Sequence, residues 1–465
     1  SKNLYYLKKN NYFIFASELK SFMSLNQIYR PDFDNGYFVW LGKNYGCQNT
    51  FFKDVLSLPG GHQININQNN NFKFKKWWST IDHLIQIPKK YEDQVSQFKE
   101  LFFNACKIRL RSDVPIASCL SGGADSSSTV TAISRLLEKK NVNDRQYEDQ
   151  QNVFICDFVR DGNSEKKFAE EVIKNKNIKP FFLDLSSSSI DYDELIKASF
   201  HQELIEETGI GPWLLYKNIR KSGIRVSIEG HSADESLGGY APYVDQSAFD
   251  SLNFFNNHRL NDLRDIRRNL KKGEDSDIFS NKFKLMLKLY LGKKNYNYLS
   301  NLKNFSFKNN IHQANNFDNF FLTERSESIF PKFDNTTQFN SLYKMLYNDF
   351  HYFITPRINQ KFDRLSMAHG IEIRCPFLDF NLINFIFSLP SESKIGNGYT
   401  KRILRDSMKN EVPHNVLFRK DKKGFTPTNN WKENAFNNFI NQFLNDSIFL
   451  NSNVFDGKKI KEEYE

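Results

Sequence analysis

Residues 114–128 read Val-Pro-Ile-Ala-Ser-Cys-Leu-Ser-Gly-Gly-Ala-Asp-Ser-Ser-Ser, an apolar run that passes directly into a Ser-Gly-Gly-x-Asp-Ser loop. The run 114–120 predicts a strand. Residues 126–139 predict a helix, with Val130, Ile133 and Leu137 at three- and four-residue steps. Gly122 and Gly123 lack a Cβ, so the backbone between them can turn sharply and bring its N–H groups close to a ligand. A helix N-terminus behind such a turn offers free N–H groups and the positive end of the dipole to an anion. Ser121, Ser126 and Ser127 add hydroxyl donors, and Asp125 could share a Mg²⁺ with a polyphosphate.

No lysine follows the glycines, which excludes the Gly-x-x-x-x-Gly-Lys-[Ser/Thr] loop of phosphoryl-transferring NTPases. Ser121–Ser126 instead resembles the pyrophosphate loop of N-type ATP pyrophosphatases, in which the α-phosphate is attacked. Downstream come strand 153–158, helix 165–175, strand 181–185, helix 191–205 and strand 225–229. Upstream, Val95, Phe98, Leu101, Phe102, Ala105 and Ile108 share one helical face. Strands alternating with helices predict an α/β fold with a doubly wound parallel sheet and a ligand at the carboxyl ends of its strands.

Residues 1 to about 78 read differently. Tyr12–Ala16, Tyr37–Trp40 and Gln63–Ile66 are short strand-like runs, Pro59-Gly60-Gly61 a turn, and Asn67–Asn71 a solvated hairpin tip. Residues 245–345, rich in Asn, Lys and Phe, predict mostly helical covering structure. With 465 residues the chain has room for two domains or more. The net charge of +10 is spread thinly among asparagines, which argues against a nucleic-acid surface. No run is long and apolar enough for a membrane span, and no signal-peptide pattern opens the chain. Cys47, Cys106, Cys119, Cys156 and Cys375 lack metal-type spacing and read as reduced thiols, consistent with a cytoplasmic protein. Both ends read as cuts through folded regions, so a fragment is expected.

A second group of motifs completes the pattern. Strand 225–229 ends in Gly230-His231-Ser232-Ala233-Asp234-Glu235, followed by Gly238-Gly239-Tyr240. At a strand's carboxyl end Asp234 could share a Mg²⁺ with Asp125, or Asp234 and Glu235 could cap a helix. Then come Asp363-Arg364-x-Ser366-Met367-Ala368, Glu372-x-Arg374-x-Pro376-Phe377-Leu378-Asp379, Lys401-x-x-Leu404-Arg405 and Lys420–Phe425.

Together these resemble the asparagine synthetase family of the glutamine-dependent type, over essentially the whole chain. The resemblance implies that residues 1–80 are the C-terminal part of an N-terminal-nucleophile glutaminase domain. Phe15–Lys20 and Leu58–His62 fit its closing half. Residues 90–465 would be the ATP-pyrophosphatase domain of the synthetase. ATP and Mg²⁺ would be bound, a carboxylate (the aspartate side chain first among candidates) adenylated with release of pyrophosphate, and the acyl group passed to ammonia drawn from glutamine. Leu120, Ser121, Gly122, Gly123, Asp125, Ser126, Cys156, Glu229 and Gly230 would surround the nucleotide, with Asp125 and Asp234 on the metal. Lys401 would face the developing phosphate charge. Its plainer role is a surface lysine. Glu372 and Arg374 match a pair near the substrate pocket or, equally, a buried ion pair holding the Pro376 turn. A homodimer follows only by analogy.

Two departures qualify the resemblance. The family's nucleophilic N-terminal cysteine has no counterpart here, and Cys47 cannot replace it, because that chemistry uses the cysteine's own α-amino group. This stretch alone should therefore accept free ammonia at most. His231 stands where the bacterial family member carries a glutamate tied to the ammonia half-reaction, and Ser232 replaces a common glycine. A histidine can still take a proton near neutral pH, and it can equally mark a different acyl acceptor or carboxylate. A β-lactam-synthetase-like enzyme and a non-catalytic nucleotide-binding homologue are the alternatives.

Overall fold

The computed structural model describes residues 2–9, 12–25, 50–67, 72–139, 150–157, 165–185, 191–204, 209–252, 257–270, 334–420, 429–452 and 456–464. The run Tyr37–Trp40, Cys47, the hairpin tip beyond Asn67, residues 271–333 and Asp421–Phe425 lie outside them.

Five parallel strands form the central sheet: β6 (Ile116–Cys119), β7 (Gln151–Asp157), β8 (Ile178–Asp184), β9 (Val226–Ile228) and β10 (Glu372–Arg374), in the spatial order β10-β9-β6-β7-β8. The chain runs outward from β6 to β8, returns to place β9 on the other side of β6, and continues to β10. The order therefore reverses beside β6, and a crevice opens there at the carboxyl ends of β6 and β9.

Helices cover both faces because successive strand residues point to opposite sides. Val153 and Ile155 pack with Phe98, Phe102, Val130 and Ile133 from the helices Tyr91–Arg109 and Ala124–Glu138. Phe154, between them, packs with Leu195, Trp213, Tyr216 and Ile219 on the other face. Each such side chain contributes on the order of 1.5–3 kcal/mol on burial. Phe102 stacks on Phe377 with ring centroids 4.9 Å apart, which ties the turn after β10 to the first layer.

Two elements exceed the expectation. The helix Ile210–Lys221 begins at Gly209 with Pro212 in its first turn, a placement that suits proline although Gly-x-Gly-Pro reads as a break. Strand β10 has only three residues with charged ends, too short for alternation to reveal it. Within 245–345, the described parts are helical at Ala241–Leu252, Asn257–Leu270 and Ser341–His351.

The N-terminal residues form a separate antiparallel sheet of β1 (Tyr5–Lys9), β2 (Tyr12–Ala16) and β3 (Val55–Ser57), in the order β2-β1-β3, plus the hairpin of β4 (His62–Ile66) and β5 (Phe72–Lys76). Tyr5, Leu7, Leu19, Phe22 and Val55 make its small core. Arg364, only 1 % exposed, fastens this part to the larger one. Its Nε donates to Glu203 at 2.8 Å, and its Nη2 donates to the carbonyl of Ser17. Glu203 also accepts from the backbone N–H groups of Leu19 and Lys20, each at 2.9 Å.

Candidate functional site

A cavity of about 310 Å³ opens at the crevice beside β6. Its floor is the loop after β6. Gly122 has φ +73°, a region open to glycine, and a Cβ there would meet the Cβ of Phe168 at 2.9 Å. Ser121 Oγ and Ser126 Oγ lie 3.0 Å apart, and Ser126 Oγ also accepts from the Ser121 N–H at 3.2 Å. The loop is thus shaped by its own hydroxyls before any ligand binds. The helix that follows starts at Ala124 with no side chain capping it, so its first N–H groups face the cavity.

The end of β9 supplies the opposite wall: Glu229, Gly230, His231, Ser232, Asp234 and Glu235. Ser232 sits at φ +72° immediately before the short helix Ala233–Leu237. This left-handed conformation favours glycine, and among the described residues the buried Ser232 hydroxyl has no hydrogen-bond partner. Tyr240 donates to Glu235 Oε1 at 2.7 Å. Burial and the neighbouring Asp234 push the Glu235 carboxyl above its ordinary pKa.

Lys401 closes the site. It is 4 % exposed, holds φ +54° at the start of the helix Arg402–Met408, and places Nζ 2.5 Å from Asp125 Oδ2 and 2.6 Å from Asp234 Oδ1. Burial alone would lower the pKa of its amine; the two carboxylates outweigh that and hold it above the usual value. Gly239 backs this cluster: a Cβ there would fall 1.8 Å from Asp234 Oδ1 and 2.5 Å from Lys401 Cε. The second oxygen of Asp125, Oδ1, is buried without a hydrogen-bond partner among the described residues. An orphaned carboxylate oxygen beside a second carboxylate and a phosphate-type loop fits a Mg²⁺ arriving with a nucleotide, since that ion takes one or two protein carboxylates and leaves its other positions to phosphate and water.

Further cations line the cavity at Arg405, Arg419 and Lys420. Arg405 donates to the carbonyl of Thr400 at 2.8 Å and to that of Leu417, and burial lowers its pKa. Arg419 pairs with Glu165 and stacks over Phe168 at 4.2 Å. Leu215, Ile358 and Phe362 add an apolar side near His231, where the Phe362 and His231 ring centroids are 4.2 Å apart.

Every residue expected around a nucleotide, namely Leu120, Ser121, Gly122, Gly123, Asp125, Ser126, Cys156, Glu229 and Gly230, lines this one cavity, together with His231, Asp234 and Lys401. Lys401 is no surface lysine. Glu372 and Arg374 stand elsewhere: neither lines the cavity, and Glu372 is half exposed, so they form neither a pocket pair nor a buried one. Arg374 Nε donates to Glu372 at 2.8 Å, and its Nη1 donates to the carbonyls of Arg109 and Arg111 at 2.8 and 2.7 Å, fixing the sheet edge to the end of the helix Tyr91–Arg109. Ser127 is also turned inward, fully buried. The apolar wall of Leu215 and Ile358 carried no sequence signal, because isolated apolar residues on amphipathic helices read as core.

The family model described as asparagine synthase matches residues 97–465. The chain is 25% identical over 451 residues to asparagine synthetase [glutamine-hydrolyzing] 1 of Bacillus subtilis, covering 96% of this chain and 67% of that protein. It is 23% identical over 429 residues to asparagine synthetase [glutamine-hydrolyzing] 3 of the same organism, covering 90% of this chain and 62% of that protein. It is also 23% identical over 484 residues to amidase chyE of Penicillium rubens, covering 95% of this chain and 68% of that protein. The chain therefore spans about two thirds of the length of these relatives.

Proposed function

The chain belongs to the asparagine synthase family, and from that premise we propose that it serves an ATP-dependent amide ligase. The Ser121–Ser126 loop holds the β- and γ-phosphates of ATP. A substrate carboxylate attacks the α-phosphorus, pyrophosphate leaves, and the acyl-adenylate then reacts with a nitrogen nucleophile to give an amide and AMP. Asp125 and Asp234 would hold a Mg²⁺ that offsets the charge of the departing pyrophosphate. Lys401 moves its ammonium toward the charge growing on the α-phosphate, and the loop N–H groups and helix N-terminus receive the leaving oxygens. Fixed donors of this kind in a site shielded from water each supply several kcal/mol toward the transition state.

The observation that carries this reading is the convergence of Lys401, Asp125 and Asp234 directly over the glycine loop. Within it, aspartate is the first carboxylate to test, with asparagine as product and glutamine as the nitrogen source of the whole protein. A different carboxylate is the second reading. His231 in place of a glutamate, the apolar wall of Leu215, Ile358 and Phe362, and the similarity to a protein named an amidase favour it.

ATP–pyrophosphate exchange by the full-length protein, run with aspartate and then with a panel of amino and carboxylic acids, decides among them. Exchange with aspartate is the expected first result. If aspartate gives neither exchange nor aspartyl-adenylate while another acid does, asparagine formation is wrong and the ligase stands. Tight binding of Mg·ATP with no exchange for any acid would leave a non-catalytic nucleotide-binding protein.

A further inference from the structure

Among the described residues, the lysines and arginines that line the cavity are Lys401, Arg405, Arg419 and Lys420. Lys401 is shared between two carboxylates, Asp125 and Asp234, so that trio is anionic on its own. Even with a Mg²⁺ added it falls short of balancing a triphosphate tail. The remaining positive charge must come from the other three cations.

Their surroundings divide them. Arg405 directs its donors to backbone: Nε to the carbonyl of Thr400 at 2.8 Å, and Nη1 to the carbonyls of Leu417 and Arg419. It braces the turn that carries Lys401 against the segment that carries Arg419. Lys420 Nζ stands over the Tyr399 ring at 5.9 Å, the same ring that Arg405 overlies at 5.4 Å. Arg419 is fastened instead to the first turn of the helix Lys166–Ile173. It pairs with Glu165, and its guanidinium lies 4.2 Å from the centroid of Phe168. That turn backs the glycine loop. A Cβ on Gly122 would meet Phe168 Cβ at 2.9 Å, and the Glu165 carbonyl oxygen and the Ala169 nitrogen at 3.3 Å each. Arg419 thus lines the cavity while anchored to the same turn against which Gly122 rests. A guanidinium offers a planar fork that engages two phosphate oxygens at once.

We propose that Arg419 is a further phosphate-binding cation of this site, and that Glu165 is its counter-ion, exchanged for the terminal phosphates of ATP and for pyrophosphate. This rests on the nucleotide placement in the ligase reading above. Glu165 and the polyphosphate compete for one guanidinium. The carboxylate keeps the fork beside the glycine loop and, by the same contact, weakens its hold on an incoming anion. The two side chains are 9 % and 15 % exposed, so the exchange needs only a turn of the arginine about its own stem, and water reaches Glu165 when the fork leaves it.

Nucleotide binding in the absence of any acid substrate tests this. Dissociation constants of ATP, AMP and pyrophosphate, each with Mg²⁺, are measured by calorimetry for the full-length protein and for its Arg419→Met, Arg419→Lys and Glu165→Gln variants. Arg419→Met is expected to weaken ATP and pyrophosphate by about 10- to 100-fold, the size of a lost charge-assisted hydrogen bond. AMP, which has no β- or γ-phosphate, should stay within about threefold of the parent. Arg419→Lys keeps the charge without the fork and should fall between parent and Arg419→Met. Glu165→Gln removes the competing charge and should tighten ATP and pyrophosphate by about three- to tenfold. An ion pair that only holds the fold would move ATP and AMP together, and would move both variants in one direction. The proposal is overturned if the ratio of ATP to AMP affinity in Arg419→Met equals that of the parent. Unchanged or weaker ATP binding by Glu165→Gln overturns it as well. A parent that binds ATP no more tightly than AMP is a separate failure: it overturns the phosphate placement of the ligase reading itself.

Discussion

Replacing Lys401 by methionine removes the cation from a buried cluster and leaves its two anions in place. Asp125 Oδ2 and Asp234 Oδ1 each touch the same ammonium, at 2.5 and 2.6 Å, so without it they face each other across no more than about 5 Å. At an effective dielectric near 20 that repulsion is about 3 kcal/mol, and breaking a buried pair by removing one partner costs about 3–5 kcal/mol. The expected loss in a urea titration without divalent metal is therefore about 3–5 kcal/mol for Lys401→Met. Its pH dependence has a sign. One aspartate must take up a proton to relieve the repulsion, so the deficit should be larger at pH 8 than at pH 5. Added Mg²⁺ should recover more stability in the variant than in the parent, because in the variant it has two unpaired carboxylates to neutralise. ATP–pyrophosphate exchange should fall by about 100- to 1000-fold, the range seen when one preorganised donor is removed from a site of developing charge. A variant that keeps its stability to within about 1 kcal/mol in urea would refute the reasoning about the cluster. Exchange within about threefold of the parent would refute the role given to Lys401.

Arg364→Met should release the N-terminal sheet, because Glu203 would keep its bonds to Leu19 and Lys20, the Lys20 ammonium at 3.3 Å among them, but lose its most buried cation; amide hydrogen exchange in β1 and β2 should speed up, corresponding to about 3 kcal/mol, the low end for a broken buried pair. Ser232→Gly should raise stability by about 1 kcal/mol, since it relieves the left-handed strain at φ +72° and deletes an unpartnered hydroxyl, less the entropy glycine adds to the unfolded chain. Burial lowers His351 to about 4. Its unfolded value near 6.5 means that the unfolded chain takes up a proton first as pH falls, so stability is complete above about 6.5, declines down to about 4 and is flat below. His351 alone accounts for up to roughly 3 kcal/mol of that decline, and His351→Gln should flatten the acid limb of a stability–pH curve.

The parts of the fold that repeat were readable. Helix Ala124–Glu138 announces itself by period and strand β7 by its continuous apolar run, and the glycine loop lies between a strand and a helix as its sequence implies. Long-range partners were not readable in the same way. Nothing within Tyr399–Arg405 says that Lys401 will reach across to Asp125, 276 positions earlier; only the similarity of spaced motifs to a known family assigns it there. Glu372 and Arg374 show the converse. Their motif is easy to find, yet the residues lie on the edge strand of the sheet, and Arg374 turns to the carbonyls of Arg109 and Arg111, away from the crevice beside β6. Glu229 carried almost no signal as part of a pair. Two residues after Ser227 along an extended segment, it shares a side of the sheet with that serine, but the local sequence does not say that His231 will fold back onto it.

The motif Asp363-Arg364-x-Ser366 acquires a physical reason from where its helix lies. Ile354–Met367 runs between the N-terminal sheet and the cavity, and its residues divide between the two. Arg364 reaches the Ser17 carbonyl and Glu203, while Asp363 accepts from Arg364 Nη1 at 2.9 Å and pairs with Lys2 at 2.5 Å. Ser366 Oγ donates back to the Asp363 carbonyl at 3.1 Å and holds the last turn. Ile358 and Phe362, one helical turn apart and so on one face, line the cavity, with Phe362 against His231. One helix thus sets both the seat of the N-terminal sheet and the packing of the His231 ring. The Arg364 clamp and the His231 contact are thus two ends of one element: the helix that braces the His231 ring also seats the N-terminal sheet.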